Sequence, residues 1–314
     1  MCQFTTLFLA SASVLVLQYE AFAESPKIDI LRSRTYVTRD TGPLEADVYM
    51  PHGEGPFPGM LVVHGGAWRV GTRAQLAGIA ARFAEHGYTA VAISYRLAPA
   101  SPFPAQLYDT EAAVRWMRTN AKELRLDPNH IGGFGYSAGG HLVALVGALA
   151  DGQLAEHGAG ADSPSTRLQC VLAGGAPCDF RDMALNNAIL AYWLGGTRGQ
   201  RPDNYRDASP TNFVTNDDPP MYFFSGEADV IVPISSPRRM FEALRAAGVA
   251  TEFYPIKDAG HILALFDQSA IDRSITFADK YLKAGQGSAP AATPALKTAA
   301  RKQSDSESES RDGQ

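Results

Sequence analysis

The sequence predicts an α/β fold, a mostly parallel eight-stranded sheet with helices on both faces. Three observations lead there. Short apolar runs alternate with longer amphipathic ones along the 314 residues. The short runs number eight. A serine also stands in a glycine-flanked turn between one such run and an apolar segment of helix length.

The elements follow in order. Residues 30–37 and 44–49 alternate apolar with polar side chains and suit an early antiparallel pair. Residues 60–63 read as a buried strand, and 74–86 as a helix ended by Gly87. A strand over 88–93 precedes a helix over 105–124, whose apolar stripe is Leu107, Ala113, Val114 and Met117. Residues 130–134 enter as a strand, and 138–150 leave as an apolar helix. Strands over 170–173, 221–224 and 252–254 complete the sheet. A helix spans 237–247 between the last two strands, and a final helix spans 263–282. No internal repeat is visible.

The ends differ in composition from this body. Residues 7–17 (LFLASASVLVL) form an apolar run too short to span a bilayer comfortably, followed by the cleavage pattern Ala21-Phe22-Ala23. The expectation is a signal peptide over 1–23, a mature chain from Glu24, and a secreted or periplasmic protein. From 284 to 314 bulky apolar residues are scarce and Ser, Pro, Ala and charge abound, so a disordered tail is expected. The folded domain is therefore assigned to 24–283.

Composition narrows the functional classes. At 45% hydrophobic and 19% charged the chain is an ordinary globular sequence. A net charge of -5 gives no basic footprint for nucleic acid and no attraction to anionic membranes once the leader is removed. Leader cleavage leaves Cys170 and Cys178. Extended, eight residues hold them roughly 26 Å apart, beyond disulfide reach, so two unpaired thiols are expected. No metal ligand set and no cofactor motif is implied. Oligomeric state is not legible.

The chemistry concentrates at Gly135-Tyr136-Ser137-Ala138-Gly139, a G-x-S-x-G pattern between HIGGF and HLVALVGALA. A nucleophilic serine must project from a tight strand-to-helix turn, and small residues two before and two after it permit that turn. The turn also aims the Ala138 N–H at a developing oxyanion. Gly133 to Ala138 fits a dinucleotide fingerprint as well. That reading needs an acidic residue about 20 positions on, after the next strand. Asp151 and Glu156 lie near that spacing but in a helix end and a Gly-rich loop, and Asp179 lies about twice as far.

His64-Gly65-Gly66-Ala67-Trp68 directly follows the 60–63 strand, and its small residues free backbone N–H groups to face a cavity. Gly66 and Ala67 are the predicted oxyanion donors beside Ala138, and His64 is read as a structural hydrogen-bonder. A serine hydroxyl needs a base, and the base needs an orienting carboxylate. Asp229 follows the 221–224 strand and His261 follows the 252–254 strand, both at the carboxyl edge where open α/β sheets place their sites. His52, His86 and His157 read as surface or helix-end residues. Asp258 is the rival carboxylate, but it shares the base's own loop.

HGGAW, YRLAP (95–99), GYSAGG and DVIVP…AGH together resemble the α/β-hydrolase esterases, over about residues 28–282. The nearest groups are the hormone-sensitive-lipase-like carboxylesterases and the bacterial carbohydrate acyl esterases with HGG-x-W loops. The resemblance implies an α/β-hydrolase fold and a serine carboxylesterase with Ser137 as nucleophile and His261 and Asp229 as partners. It also implies oxyanion donors at Gly66, Ala67 and Ala138. Ala67 replaces the third glycine of the common HGGG, and Ala100 stands where an acidic residue often follows YRLAP. HGG-x-W also resembles kynurenine formamidases, so an aryl formamidase or serine peptidase on the same triad is an alternative. An inactive binding protein of this fold is another.

The expected substrate is a short-chain acyl or carbohydrate-linked ester. Only 40 residues run from Glu24 to Val63, too few for two strands and a helical N-terminal cap, so a small cap or none is expected. The insertion 180–214 is polar in its second half and offers a long acyl chain little apolar area. Trp68, Tyr136 and Trp193 are candidates to line the cleft and stack on a sugar or aromatic group.

Overall fold

The chain divides into a unit of Met1–Ala284 and a second of Gly285–Gln314. The computed structural model describes residues 28–154 and 163–283, all in the first unit. The leader reading over 1–23, the tail reading over 284–314, Glu24, Glu156 and His157 lie outside the described residues.

Eight strands form one sheet: β1 (Ile28–Arg39), β2 (Gly42–Pro51), β3 (Phe57–Val63), β4 (Thr89–Ile93), β5 (Leu126–Tyr136), β6 (Cys170–Gly174), β7 (Met221–Gly226) and β8 (Thr251–Ile256). Their order is β1-β2-β4-β3-β5-β6-β7-β8. The β1/β2 and β2/β4 pairings are antiparallel, and every pairing from β4/β3 to β7/β8 is parallel. The helices are α1 (Ala77–Glu85), α2 (Ala105–Thr119), α3 (Ala138–Ala148), α4 (Ala191–Leu194), α5 (Pro202–Asp207), α6 (Ser235–Ala246), α7 (His261–Leu265) and α8 (Gln268–Leu282).

Strand side chains alternate between two cores because successive residues point to opposite faces. Leu61 and Val63 of β3 join Leu107, Val114, Leu142 and Met240 from α2, α3 and α6. Met60 and Val62 join Phe83, Ile275 and Phe277 from α1 and α8 on the other face. A sheet buried on both faces needs continuous apolar strands, which is why β3 and β6 read as apolar runs. Cys170 and Cys178 are buried and unpaired, as the spacing predicts.

The predicted strands and helices stand in their predicted order, with three corrections. The helix read over 263–282 is two helices, α7 and α8, because Asp267 caps the second and accepts from the Ala270 N–H at 2.7 Å. The helix read over 74–86 opens with a 3₁₀ turn, Arg73–Leu76, before α1. The helix read over 105–124 stops at Thr119, and the chain turns through Arg125 at φ 51° into β5. No helix among the described residues is long and apolar enough to cross a membrane.

Candidate active site

Ser137 stands between the end of β5 and the first residue of α3, at φ 56° and ψ -121°. That conformation is costly for a residue with a side chain, and the surrounding structure enforces it. Its N–H donates to Gly174 O at 2.8 Å, and its carbonyl accepts from the His141 N–H at 2.9 Å. The two flanking glycines are required by contact. A Cβ on Gly135 would meet Gly139 O at 2.2 Å, and one on Gly139 would meet Val63 O at 1.9 Å.

His261 opens α7, directly beyond β8, and its Nε2 lies 2.9 Å from Ser137 Oγ. Its Nδ1 lies 2.6 Å from Asp229 Oδ2. Asp229 is buried, and its other oxygen accepts from the N–H groups of Ile231 at 2.9 Å and Val232 at 2.8 Å. Both carboxylate oxygens are therefore occupied, which fixes the carboxylate plane towards the imidazole. With Nδ1 donating to Asp229, Nε2 is the atom that faces the serine hydroxyl. Asp258 is exposed, in a left-handed turn at φ 55°. The structure thus brings Ser137, His261 and Asp229 together as the sequence predicts.

Gly66, Ala67 and Trp68 have φ of 106°, 51° and 57°, three consecutive left-handed positions. Gly66 O accepts from the N–H groups of Arg69 at 2.9 Å and Val70 at 3.0 Å, so the loop closes on itself. A Cβ on Gly65 would come within 3.2 Å of Ser137 Cβ, which puts the loop against the serine. His64 is buried beneath it with Nδ1 2.7 Å from Gly65 O, and burial pushes its pKa down to about 4. It is structural, as read from the sequence. Ala138, the first residue of α3, follows the serine at the helix N-terminus.

The aromatic predictions need correction. Trp68 and Trp193 are buried and do not line the cleft; they stack on each other in the core. Trp68 Nε1 donates to His141 Nδ1 at 3.2 Å, and His141 Nε2 donates to Ala208 O at 2.7 Å. Trp193 Nε1 donates to buried Gln106 Oε1 at 3.1 Å. Only Tyr136 of the three borders the cleft, and its hydroxyl donates to the His261 carbonyl, where it steadies the base. No residue of the 180–214 insertion is among those lining the cleft over Ser137, although its Tyr192 touches Ala67 and Arg69 at the cleft's edge. The insertion instead packs Trp193, Leu194, Tyr205 and Ala208 into the core.

Sequence reasoning also missed residues. Tyr192 donates its hydroxyl to Ala67 O at 2.7 Å, and Tyr95 donates to His64 O at 3.0 Å. The Tyr95 ring stacks on His64 at 4.2 Å. Tyr95 belongs to the YRLAP motif, whose role was not legible without its spatial neighbour. The cleft over Ser137 has a volume of about 580 Å³. Among the described residues no cluster of three or more His, Cys, Asp or Glu side chains is suited to hold a metal ion.

This sheet order defines an α/β-hydrolase fold, with a serine, a histidine and an aspartate in hydrogen-bonded series at the carboxyl edge of the sheet. The chain belongs to the BD-FAE family, whose model matches residues 46–244. It is 35% identical over 222 residues to Esterase LipC of Mycobacterium tuberculosis, covering 68% of this chain and 54% of that protein. Esterase LipQ of the same organism is 32% identical over 224 residues, covering 69% and 52%. The chain thus spans about half the length of these curated relatives. Among solved structures it is similar to a truncated carbohydrate esterase from gut microbiota (TM-score 0.74, 26% identity, 83% of this chain and 99% of that one). It is similar also to propionate-bound esterase 2 of Thermogutta terrifontis (TM-score 0.69, 26% identity, 86% and 98%).

Proposed function

We propose that this protein is a serine carboxylesterase acting on short-chain acyl esters through Ser137, His261 and Asp229. One observation carries the reading: His261 bridges Ser137 Oγ at 2.9 Å and buried Asp229 at 2.6 Å. His261 Nε2 takes the hydroxyl proton as Oγ bonds to the acyl carbon. The carbonyl electrons move onto oxygen, and the N–H groups of Gly66, Ala67 and Ala138 donate hydrogen bonds to the oxyanion that forms. The C–O bond to the alcohol then breaks, and the imidazolium returns its proton to the departing oxygen. Water, deprotonated by the same nitrogen, attacks the acyl carbon; the bond from that carbon to Ser137 Oγ then breaks, Oγ takes the proton back from the imidazolium, and the acid leaves. Asp229 keeps the imidazole tautomer and stabilises the imidazolium. The chain's own residues complete this cycle.

The short acyl preference draws support from the Thermogutta esterase, whose solved complexes hold propionate and butyrate. A carbohydrate alcohol is a second reading, favoured by the similarity to the gut carbohydrate esterase. The burial of Trp68 and Trp193 removes the stacking surface that would have supported it. Export is proposed from the leader-like residues 1–23, and amino-terminal sequencing of the protein recovered outside the cytoplasm tests it.

The test is turnover of p-nitrophenyl acetate and butyrate beside N-formylkynurenine, a peptide anilide and an acetylated oligosaccharide. Esterase activity predicts that a simple ester exceeds the amides by orders of magnitude in kcat/KM. Faster turnover of formylkynurenine or the anilide would replace the reading with an amidase. No turnover of any of them would favour a binding protein.

A further inference from the structure

Large hydrophobic side chains left in water normally occur singly, and a contiguous group marks a surface that something apolar covers. Among the described residues nine are exposed, and six of them fall in three short stretches: Val70, Val230-Ile231, and Ile262, Leu263 and Phe266. Val70, Ile231, Ile262 and Phe266 line the cleft over Ser137. Ile231, Ile262 and Phe266 are 66%, 61% and 65% exposed, so they gain little from the fold itself. Leu265, and Leu76 from the turn before α1, line the same cleft.

The wall is not placed at random about the serine. Ile231 lies two residues beyond Asp229 and donates its N–H to that carboxylate. Ile262 follows His261 directly, and Leu265 and Phe266 end the same short helix. The elements that carry the acid and the base therefore also carry the wall. Gly65, Gly66 and Ala67 contribute a separate part of the cleft lining, with Val70 just beyond them. Proton transfer fixes which part of an ester faces the wall. In acylation the imidazolium must reach the departing oxygen at hydrogen-bond distance, so the alcohol lies over the histidine's own element.

We infer that the apolar wall formed by Ile231, Ile262, Leu265 and Phe266 is the alcohol-side subsite, and that the substrates are esters of a small acid with an apolar alkyl or aryl alcohol. The inference rests on the esterase reading above. Ser137 and His261 line the same cleft as the wall, which favours a substrate over a protein partner, since a substrate must reach them. A sugar alcohol would leave the wall wet and gain nothing from it.

The experiment fixes the acid as acetate and lengthens the alcohol from ethyl through butyl to hexyl, with phenyl acetate alongside. A second series fixes the alcohol as ethyl and lengthens the acid. The subsite predicts that kcat/KM rises about two- to fourfold per methylene in the alcohol series, the range for a partly to fully buried CH₂. Phe266→Ser and Ile262→Ser should lower the hexyl-to-ethyl ratio several-fold. Ile30→Ser, which alters an exposed apolar residue outside the cleft, should leave that ratio unchanged. A flat alcohol series, a ratio unmoved by the two cleft variants, or a slope confined to the acid series overturns the inference. Those outcomes all occur with ethyl acetate being hydrolysed, whereas loss of the esterase reading would show as no ester turnover at all.

Discussion

Trp193 lies flat on Trp68, with ring centroids 3.5 Å apart and planes 2° from parallel. Trp68 ends the left-handed run that begins at Gly66, and Trp193 sits in the insertion after β6. The insertion therefore clamps the loop that approaches the nucleophile. Tyr192 adds a hydrogen bond to Ala67 O, and Arg69 lies over the Tyr192 ring at 5.4 Å. Gln106 accepts from the Trp193 indole and itself donates to Arg96 O and Ser101 O, so the buried polar groups of the clamp are satisfied.

Loosening the clamp should cost rate before it costs binding. Tyr192→Phe removes one neutral hydrogen bond, worth on the order of 1 kcal/mol, and should lower kcat about fivefold with KM nearly unchanged. Steady-state kinetics on a short ester reads this. A rise in KM at constant kcat would mean that Tyr192 serves substrate binding instead. Trp193→Ala, a large-to-small change in the core, should lower stability by about 3–5 kcal/mol in chemical denaturation.

The carboxylate assignment separates two residues in neighbouring loops, Asp229 after β7 and Asp258 after β8. Asp229→Asn should lower kcat on the order of 10⁴-fold, because the amide holds the wrong histidine tautomer. Asp258→Asn, at an exposed turn, should stay within about twofold of wild type. The opposite ranking in measured kcat would transfer the role to Asp258.

Much of this architecture was legible in the sequence because periodicity and order carry it. Apolar runs gave the strands of a sheet buried on both faces, and the position of Ser137, Asp229 and His261 after successive strands gave the site. What stayed hidden depends on side chains meeting across the chain. Trp193 and Trp68 are 125 positions apart, and no local pattern distinguishes a stacked core pair from a sugar platform. The apolar wall was not singled out: Leu265 and Phe266 fell inside the helix read over 263–282, and Ile231 stood in the DVIVP motif, with nothing local to show that they meet in one cleft. The Asp267 cap was visible as a residue type, yet the apolar period ran through it.

Acid should weaken the fold through two buried histidines. Burial lowers the pKa of His141 to about 4, opposed by its bond to Ala208 O, and lowers that of His64 to about 4, opposed by its bond to Gly65 O. The unfolded chain titrates near the ordinary 6.5 and binds more protons between those values, so stability rises with pH across that window. It is complete above about pH 6.5 and declines towards pH 4, with each histidine contributing on the order of 1 kcal/mol per pH unit. Protonated His141 would also turn an N–H against the Trp68 indole donor. Urea denaturation from pH 4.5 to 7.5 measures the slope, and His141→Gln should reduce it by about half. A stability independent of pH over that range would contradict the neutral, buried assignment.

The most direct measurement is the turnover of p-nitrophenyl butyrate by Ser137→Ala. Ser137 Oγ is the atom that forms the covalent bond to the acyl group in the proposed mechanism. Wild-type protein should hydrolyse the ester, and the variant, folded by circular dichroism, should lose on the order of 10⁴- to 10⁶-fold in kcat. A folded variant retaining more than about a tenth of wild-type turnover would contradict Ser137 as the nucleophile, and with it the mechanism built on this site.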